Sequence, residues 1–374
     1  MKQSFILAMA ALAAAIACNS QGTGPLPRAA ASPELQEAFA AFKDTVSKSA
    51  FNPNPDFQLF FHNIMIVKDG KVVIEETFDP EWPADRPQHV FSASKTFTAL
   101  AAGLAVDDGL MTVEDKVIDY FPDKLPAEVS DNLKAMTVKD LLTMQGGHET
   151  DPTWDTMAAY DTTGMELPLK PGVDLAAAFL NHPFLHEPGT YFCYNSLSTY
   201  MVSAIVQKVT GKTIRDYLDE RVFKYMGIQT PEWDLDEAGV CCGGWGLHLR
   251  MEDMAKTGQL LLQKGRWGDR QLISAEWIDE QTRKQIDNYP NGLTREQIDQ
   301  PPFYPIERND WVAGYGYQTW RNTVGGYRAD GAWGQMIIVL PEKNAVIAAR
   351  ANLVNHQAEE WAFWDYLLPA LGKK

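Results

Sequence analysis

The sequence predicts a mixed α/β fold of the α+β type, in which both ends of the chain build one antiparallel sheet. Strand patterns occupy residues 62–77 near the start and 313–351 near the end. The segment between them, 92–307, has a mainly helical pattern. Helices and sheets must bury their apolar faces against one another, so the terminal strands are expected to form one sheet that is flanked by helices.

The first elements of the predicted fold are a helix and a hairpin. The helix is expected at residues 34–48. The dipeptide Asp69-Gly70 is typical of a tight hairpin turn, here between strands at 62–68 and 71–77. These elements supply the N-terminal half of the predicted sheet.

The middle and the end of the chain complete the pattern. Gly and Pro clusters separate candidate helices at 137–144, 173–181, 196–210, 213–225, 251–264 and 274–285. A polar, Pro-containing stretch, 287–307, is expected to be a loop at the rim of a cleft. Candidate strands follow at 313–322, 325–329, 335–340 and 345–351, and then a closing helix at 356–371. One folded unit of residues 34–374 is predicted, with an α/β lobe (34–91 plus 308–374) and a helical lobe (92–307).

Residues 1–17 have the features of an export signal. Lys2 gives a positive start, an apolar run covers residues 5–16, and the segment ends in a small-x-small cleavage pattern. The run is too short to remain in a bilayer as a spanning helix. The mature chain is therefore expected to begin at Cys18, in an exported, periplasmic protein.

Cys18 raises the alternative of a lipid anchor. A cysteine directly after such a cleavage site resembles a bacterial lipobox, and acylation would hold the protein at a membrane surface without a spanning helix. Residues 18–33 are rich in Ser, Gly, Pro and Ala and are predicted to be a flexible tether. The sequence leaves both the lipidated and the unlipidated form open.

Ser92 and Lys95 are the most informative pair in the chain. They stand three residues apart at the start of a predicted helix, so they lie on one face, one turn apart. A serine hydroxyl needs a neighbouring base to act as a nucleophile near neutral pH. Burial against apolar surface lowers the pKa of a lysine enough for that role. The spacing alone is equally typical of an ordinary helix start with Ser92 as its N-cap.

The segments around this pair resemble the superfamily of serine β-lactamases and penicillin-binding proteins, specifically its class C-like and esterase branch. The resemblance extends from about residue 36 to residue 370. Several ordered motifs at family-like spacing are more specific than one tetrapeptide. They are FSASKTFTAL (91–100), TVKDLLTMQGGHE (137–149), EPGTYFCYNS (187–196), GGWGLHLRMEDMAKTGQLLLQKG (243–265) and YRADGAWGQMIIVLPEKNAVIA (327–348).

The resemblance implies that Tyr194 is the second member of the site, with its phenol near the nucleophile and the lysine. An adjacent ammonium is expected to lower the pKa of that phenol, so that Lys95 and Tyr194 share protons as a coupled pair. Ser196 stands where the family commonly has asparagine. Its hydroxyl can hydrogen-bond Lys95 or a substrate carbonyl, but it lacks the separate donor and acceptor of an amide.

The third family motif, Lys-Thr-Gly in β-lactamases, falls at Ala329-Asp330-Gly331. Gly331 still allows close backbone approach, and the resemblance implies an oxyanion hole formed by the amides of Ala332 and Ser92. The family lysine that helps to hold a substrate carboxylate is replaced by Ala329. Asp330 is expected to repel such a carboxylate.

Arg328 stands two residues before Asp330, hence on the same strand face. It is therefore expected to neutralise Asp330 rather than bind substrate. The hypothesis that follows is a site that disfavours β-lactams and prefers neutral acyl esters or amides, with amine-bearing substrates as a variant.

The predicted function is an exported serine hydrolase that forms an acyl-enzyme on a small-molecule acyl substrate, with esterase-like activity favoured. The alternatives are a β-lactamase or D-amino-acid-specific peptidase, and a non-catalytic penicillin-binding-like sensor domain.

No cofactor and no metal site is predicted. A net charge of −16 makes nucleic acid an improbable partner. Weaker site candidates are His148, Trp154, Trp245, Trp333 and Cys193, and the pairing of Cys193 with Cys241 or Cys242 stays open.

Overall fold

The computed structural model describes residues 22–158 and 168–372. The predicted export signal and Cys18 lie outside the described residues. The strands are β1 (Phe61–Lys68), β2 (Lys71–Thr77), β3 (Gln88–His89), β4 (His248–Leu249), β5 (Arg266–Trp267), β6 (Arg270–Gln271), β7 (Trp320–Arg321), β8 (Tyr327–Gly331), β9 (Gln335–Leu340) and β10 (Ala345–Ala351).

The longer helices follow the predicted segments, whereas the short helices Asp131–Ala135 and Arg295–Ile298 were not predicted, and the second lies within the predicted loop at 287–307. They are α1 (Pro33–Ser49), α2 (Ser94–Asp107), α3 (Asp131–Ala135), α4 (Val138–Leu142), α5 (Leu175–Asn181), α6 (Ser196–Thr210), α7 (Ile214–Leu218), α8 (Lys224–Met226), α9 (Met251–Leu262), α10 (Ala275–Thr282), α11 (Arg295–Ile298), α12 (His356–Ala362) and α13 (Leu368–Ala370). Single π-helical turns join α7 to α8 (Asp219–Phe223) and α12 to α13 (Phe363–Leu367).

Six of the strands form one antiparallel sheet in the order β2-β1-β10-β9-β8-β7. The first and the last long strands are neighbours at its centre, where Ile66 lies opposite Ile347. The turn between β1 and β2 has positive φ at both Asp69 and Gly70, as an Asp-Gly hairpin requires. The predicted sheet, assembled from both ends of the chain, is therefore present.

Both faces of the sheet are buried. Side chains alternate along each strand, so Met336 and Ile338 on β9 face α1 and α12, whereas Ile337 faces the other way. On the first face, the Phe42 and Phe363 rings stack with their centroids 5.8 Å apart. The result is a sheet between two helical layers.

The helical lobe is organised around α2 and α6, which are buried on almost all sides. Every residue of α2 from Ser94 to Ala105 is buried, and so is every residue of α6 from Leu197 to Val206. A helix that is buried all round belongs to the interior of a large core. The starts of α2 and α6 carry the predicted site residues.

Three expectations about organisation need correction. Helix α9 lies in the range assigned to the helical lobe, yet it packs on the sheet: a Cβ on Gly258 would lie 2.4 Å from a methyl carbon of Val346. The predicted strand at 313–322 is reduced to Trp320–Arg321.

The predicted tether is also not free over its described part. The Leu26 side chain is 2% exposed, and its amide donates to Glu252. Arg28 forms ion pairs with Glu75 and Glu252, which fasten this segment to the domain. Within the described residues, none of the helices has the length and apolar character needed to cross a membrane.

Candidate active site

Ser92 lies in a single 3₁₀ turn, Phe91–Ala93, that leads directly into α2. The residue before it, Phe91, has a φ of 48°, a left-handed conformation that is costly for a bulky side chain. Such strain persists only where the surroundings hold it, and it is common next to reactive groups. Ser92 is partly exposed, whereas Lys95 beneath it is 2% exposed. The hydroxyl therefore faces an opening and the amine does not.

The Lys95 amine contacts three groups, all of them uncharged. Its Nζ lies 3.0 Å from Ser92 Oγ, 2.9 Å from Ser196 Oγ and 2.8 Å from the carbonyl oxygen of Gly244. A neutral amine has two N–H groups and one lone pair. Gly244 and Ser196 can accept the two N–H groups, which leaves the lone pair for the proton of Ser92.

Burial explains why the neutral amine is accessible. It lowers the pKa of Lys95 to about 7, although the negative charge of Asp151 acts in the opposite direction. A substantial fraction of Lys95 is therefore unprotonated at neutral pH. The expectation of a lysine with a lowered pKa beside Ser92 agrees with this geometry.

Gly244 was not predicted as a site residue. A Cβ at this position would lie 2.7 Å from the carbonyl oxygen of Ser196, so only glycine lets this loop approach the start of α6. The preceding carbonyl, of Gly243, accepts a hydrogen bond of 2.9 Å from Thr98 on α2. The two adjacent glycines are visible in the sequence, but the sequence does not show that this loop packs against the start of α6.

Tyr194 lies beside the same pair. The Ser92 side chain is near enough to its phenol to affect the ionisation of that group, and the Lys95 Nζ lies 4.9 Å from the centre of its ring. The ring packs on Trp320, with the centroids 5.2 Å apart. Burial raises the pKa of Tyr194, and the nearby Ser92 side chain only partly opposes this shift. The prediction of a lowered phenol pKa is wrong, so Tyr194 stays protonated near neutral pH.

The predicted oxyanion segment lies against the turn that carries Ser92. A Cβ on Gly331 would lie 2.1 Å from the carbonyl oxygen of Val90, so β8 touches this turn through its backbone. Ala332 follows at the end of β8 and is exposed. The backbones at Ser92 and Ala332 thus come from two adjacent segments, which is the arrangement that a pair of oxyanion donors needs.

Asp330 is held in a buried ion-pair cluster. Its carboxylate lies 2.9 Å from Arg328 Nε and 2.7 Å from His356 Nδ1, and its side chain is 3% exposed. Burial disfavours its ionisation, yet His356 and Arg328 together hold the pKa of Asp330 below its ordinary value. Arg328 pairs with Asp330 as the strand spacing predicts. The expected repulsion of an anionic substrate needs correction, because this carboxylate is already neutralised and buried.

Asp151 is a carboxylate near the site that sequence reasoning missed. It accepts the amide N–H of Thr153 at 2.8 Å, and the Thr153 hydroxyl accepts the amide N–H of Ser196 at 2.9 Å. Burial raises the pKa of Asp151, while the positive charge of Lys95 acts to lower it. No spacing in the sequence links these residues, because the link is made by tertiary contacts.

The weaker candidates belong mostly to the core. His148 is 1% exposed and packs on Phe179, and burial lowers its pKa to about 3. Trp245 is likewise buried, whereas Trp333 is half-buried and Trp154 is 55% exposed. Burial also raises the pKa of the Cys193 thiol to about 12, which makes it a poor nucleophile.

The described cysteines, Cys193, Cys241 and Cys242, are free thiols. Within residues 22–158 and 168–372, no group of three or more His, Cys, Asp or Glu side chains is arranged to hold a metal ion.

Comparison with known proteins identifies the family of the chain. The Beta-lactamase family profile matches residues 63–365, which is most of the chain. The chain belongs to the beta-lactamase family. This match confirms the family resemblance of the motifs. The antiparallel sheet with its flanking helices is the fold of the β-lactamases and related serine hydrolases.

Among curated relatives, a D-aminopeptidase from Brucella anthropi is 24% identical over 188 residues, covering 47% of this chain and 33% of the relative. The chain thus matches only about a third of the length of the curated relatives.

Solved structures that share the fold include an esterase and a penicillin-binding protein homologue. A family VIII carboxylesterase superposes with a TM-score of 0.63 at 17% identity, covering 90% of this chain and 99% of the other. An octameric penicillin-binding protein homologue from Pyrococcus abyssi gives a TM-score of 0.66 at 18% identity, covering 91% of this chain and 78% of the other.

Proposed function

We propose that this beta-lactamase family member is an esterase-like serine hydrolase that is acylated on Ser92 by neutral esters. The observation that carries the proposal is the pairing of Asp330 with Arg328 and His356. Ala329 stands where β-lactamases present a lysine to the substrate carboxylate, and the neighbouring Arg328 is paired with Asp330. No cation is therefore offered to a substrate at this position. A substrate without a carboxylate does not need such a cation, so its binding does not suffer from the replacement.

The first half of the proposed reaction is acylation. The lone pair of neutral Lys95 takes the proton of Ser92 as Oγ attacks the ester carbonyl, and the C–O bond to Ser92 forms. The amides of Ser92 and Ala332 stabilise the oxyanion, and each such donor typically contributes about 2.7–4 kcal/mol. As the intermediate collapses, the phenol of Tyr194 protonates the departing alkoxide, and the proton held by Lys95 restores the phenol.

The second half is hydrolysis of the acyl-enzyme. Lys95 and Tyr194 take one proton from a water molecule as its oxygen attacks the acyl carbon. Collapse of this second intermediate breaks the bond to Ser92 Oγ, which recovers that proton. The carboxylic acid then leaves. Because Tyr194 has a raised pKa, it acts as a proton donor rather than as the initial base.

The test of this specificity compares three substrate classes on one enzyme preparation. The kcat/KM should be highest for short-chain p-nitrophenyl esters, and at least about tenfold lower for a chromogenic cephalosporin and for a D-alanyl anilide. Ser92→Ala is the control that identifies activity from this site. A cephalosporin hydrolysed as fast as the esters would contradict the proposal.

A non-catalytic sensor domain is separated from an enzyme by covalent labelling. A fluorophosphonate probe should label wild type stoichiometrically and should not label Ser92→Ala. A correctly folded wild type that takes up no probe would favour the binding domain instead.

A second candidate function is the hydrolysis of amides or esters that carry a free amine. Asp151 favours it, because this partly buried carboxylate lies near the Lys95 and Tyr194 pair and can attract a cation. The D-aminopeptidase similarity points the same way. Amino-acyl p-nitroanilides test this candidate: Asp151→Asn should raise their KM and leave the KM of neutral esters unchanged.

We also propose that the protein is exported, and that Cys18 is the first residue of the mature chain. The support is the signal-like sequence of residues 1–17. Mass spectrometry of the mature N-terminus distinguishes a diacylated Cys18 from an unmodified one, and an uncleaved chain would contradict export.

A further inference from the structure

His356 bridges the two ends of the turn that carries Ala332. Its Nδ1 lies 2.7 Å from the carboxylate of Asp330, and its Nε2 lies 3.2 Å from the backbone nitrogen of Gly334. These partners enclose the segment 331–333. One imidazole at the start of α12 therefore contacts the chain on both sides of the predicted oxyanion donor.

The partners also define the tautomer of His356. A backbone N–H can only donate, so Nε2 must accept the hydrogen bond from Gly334. Nδ1 then carries the proton and donates it to Asp330. Arg328 holds the same carboxylate from the neighbouring strand position, so the imidazole is bonded to a fixed group rather than to a mobile one.

The turn itself is strained and needs such support. Trp333 has a φ of 65°, a left-handed conformation that a bulky residue adopts only when its surroundings hold it there. The single N–H of Gly334 is shared, because it also donates at 3.2 Å to the carbonyl of Gly331 and so closes the turn. The carbonyl of Trp333 in turn accepts a hydrogen bond from the Leu353 amide.

The turn also lies directly on α12. A Cβ on Gly334 would approach a carboxylate oxygen of Glu359 to 2.5 Å. The turn is therefore in close contact with a side chain of α12, the same helix that carries His356.

From these contacts we infer that His356 is a positioning residue for the reaction, which holds the Ala332 amide where it can receive the oxyanion. This inference rests on the proposed function, because it assumes that Ala332 is an oxyanion donor. His356 need not touch the substrate. Its effect should therefore fall on the tetrahedral state, in which the oxyanion exists, and not on ground-state binding.

The test uses three variants and two kinetic readouts. His356→Ala should lower kcat for a p-nitrophenyl ester by about 10- to 100-fold, since a misplacement of about 1 Å can cost that much, with KM within about threefold of wild type. The affinity for phenylboronic acid, which mimics the tetrahedral state, should fall by a similar factor. His356→Gln should retain most of the activity, because its amide can donate to Asp330 and accept from Gly334.

His148→Ala is the matched control, since it removes a buried imidazole that packs on Phe179 and Phe184 and not on this turn. It should lower the melting temperature without changing kcat. The inference is overturned if His356→Ala keeps the wild-type kcat, or if the glutamine variant loses as much kcat as the alanine variant.

A spectroscopic measurement on wild type covers the case in which the alanine variant does not fold. The ¹⁵N shifts of the His356 ring, assigned through His356→Gln, should show a protonated Nδ1 and an unprotonated Nε2. The opposite tautomer would overturn the inference. Wild type that binds no fluorophosphonate would refute the proposed function instead, and the ring shifts would still decide whether His356 makes these two bonds.

Discussion

Two buried cations lie close to the site, and their surroundings are opposite. Lys95 is 2% exposed and has three neutral partners, and burial lowers its pKa to about 7. Arg328 is fully buried but lies 2.9 Å from Asp330 and 2.7 Å from Glu360. Burial alone would lower the pKa of Arg328, yet the charges of Glu360 and Asp330 raise it.

The difference shows how one protein uses buried charge in two ways. A cation without a counter-ion is destabilised in its charged form and becomes a usable base. A cation with two carboxylates stays charged and fixes the backbone that carries them. The surroundings of Lys95 suit the proton transfer proposed above, whereas those of Arg328 suit a structural role.

The largest expected effect follows from removing the unpaired cation. Lys95→Met should lower the acylation rate of Ser92 by about 10³- to 10⁴-fold, because the base is lost. Lys95→Arg should be equally inactive, since a guanidinium keeps its proton. Single-turnover measurement of acyl-enzyme formation checks both. An active arginine variant would show that Lys95 contributes charge rather than proton transfer.

The paired cation should matter more for stability. Arg328→Met leaves the ionised Asp330 buried without this counter-ion, which should lower the free energy of unfolding by about 3–5 kcal/mol. Arg308→Met is the matched control, because its ion pair with Asp365 is exposed and should contribute less than about 1 kcal/mol. Urea denaturation measures both. If both variants lose the same free energy of unfolding, burial of the Arg328 ion pairs does not add to stability.

The pH dependence sharpens the comparison further. In the proposed mechanism the neutral form of Lys95 is the base, so kcat/KM for a neutral ester should rise with pH and level off above about 7. Below that point it should fall about tenfold for each pH unit, as protonation removes the base. Asp151→Asn should move the midpoint to lower pH, because Asp151 favours the protonated amine. A profile that is flat from pH 5.5 to 8 would contradict the role of Lys95.

The smallest effect is expected at a neutral partner of Lys95. Ser196→Ala removes one hydrogen bond of 2.9 Å to the amine, which corresponds to about 0.5–1.5 kcal/mol, or a loss of about 2- to 10-fold in kcat. Ser196→Asn keeps a polar partner and should lose less. If both variants lose more than 100-fold, Ser196 transfers a proton itself.

Local patterns made part of this site predictable. Ser92 and Lys95 lie one helical turn apart, and Arg328 and Asp330 lie on one strand face, so short-range periodicity was enough to pair them. Tyr194 and Ser196 followed from the family motifs. The sheet followed from strand patterns at the two ends of the chain.

The remaining contacts could not be predicted because no periodicity connects them. Gly244 and His356 reach the site from distant segments, and their roles depend on how α6 and α12 pack. The pKa of Tyr194 was mispredicted for the same reason. The direction of its pKa shift depends on the balance between burial and nearby charge, and burial is a property of the folded structure.

The pairing of β1 with β10 also constrains how the chain acquires its structure. Lys68 meets Ala345 across the sheet, so the N-terminal hairpin has no inner neighbour until nearly the whole polypeptide has been made. Contacts that close such long loops form slowly. Truncation before residue 345 should therefore abolish the cooperative unfolding transition. A nascent chain that cannot complete its inner strands early also stays unfolded longer, which is compatible with the export proposed above.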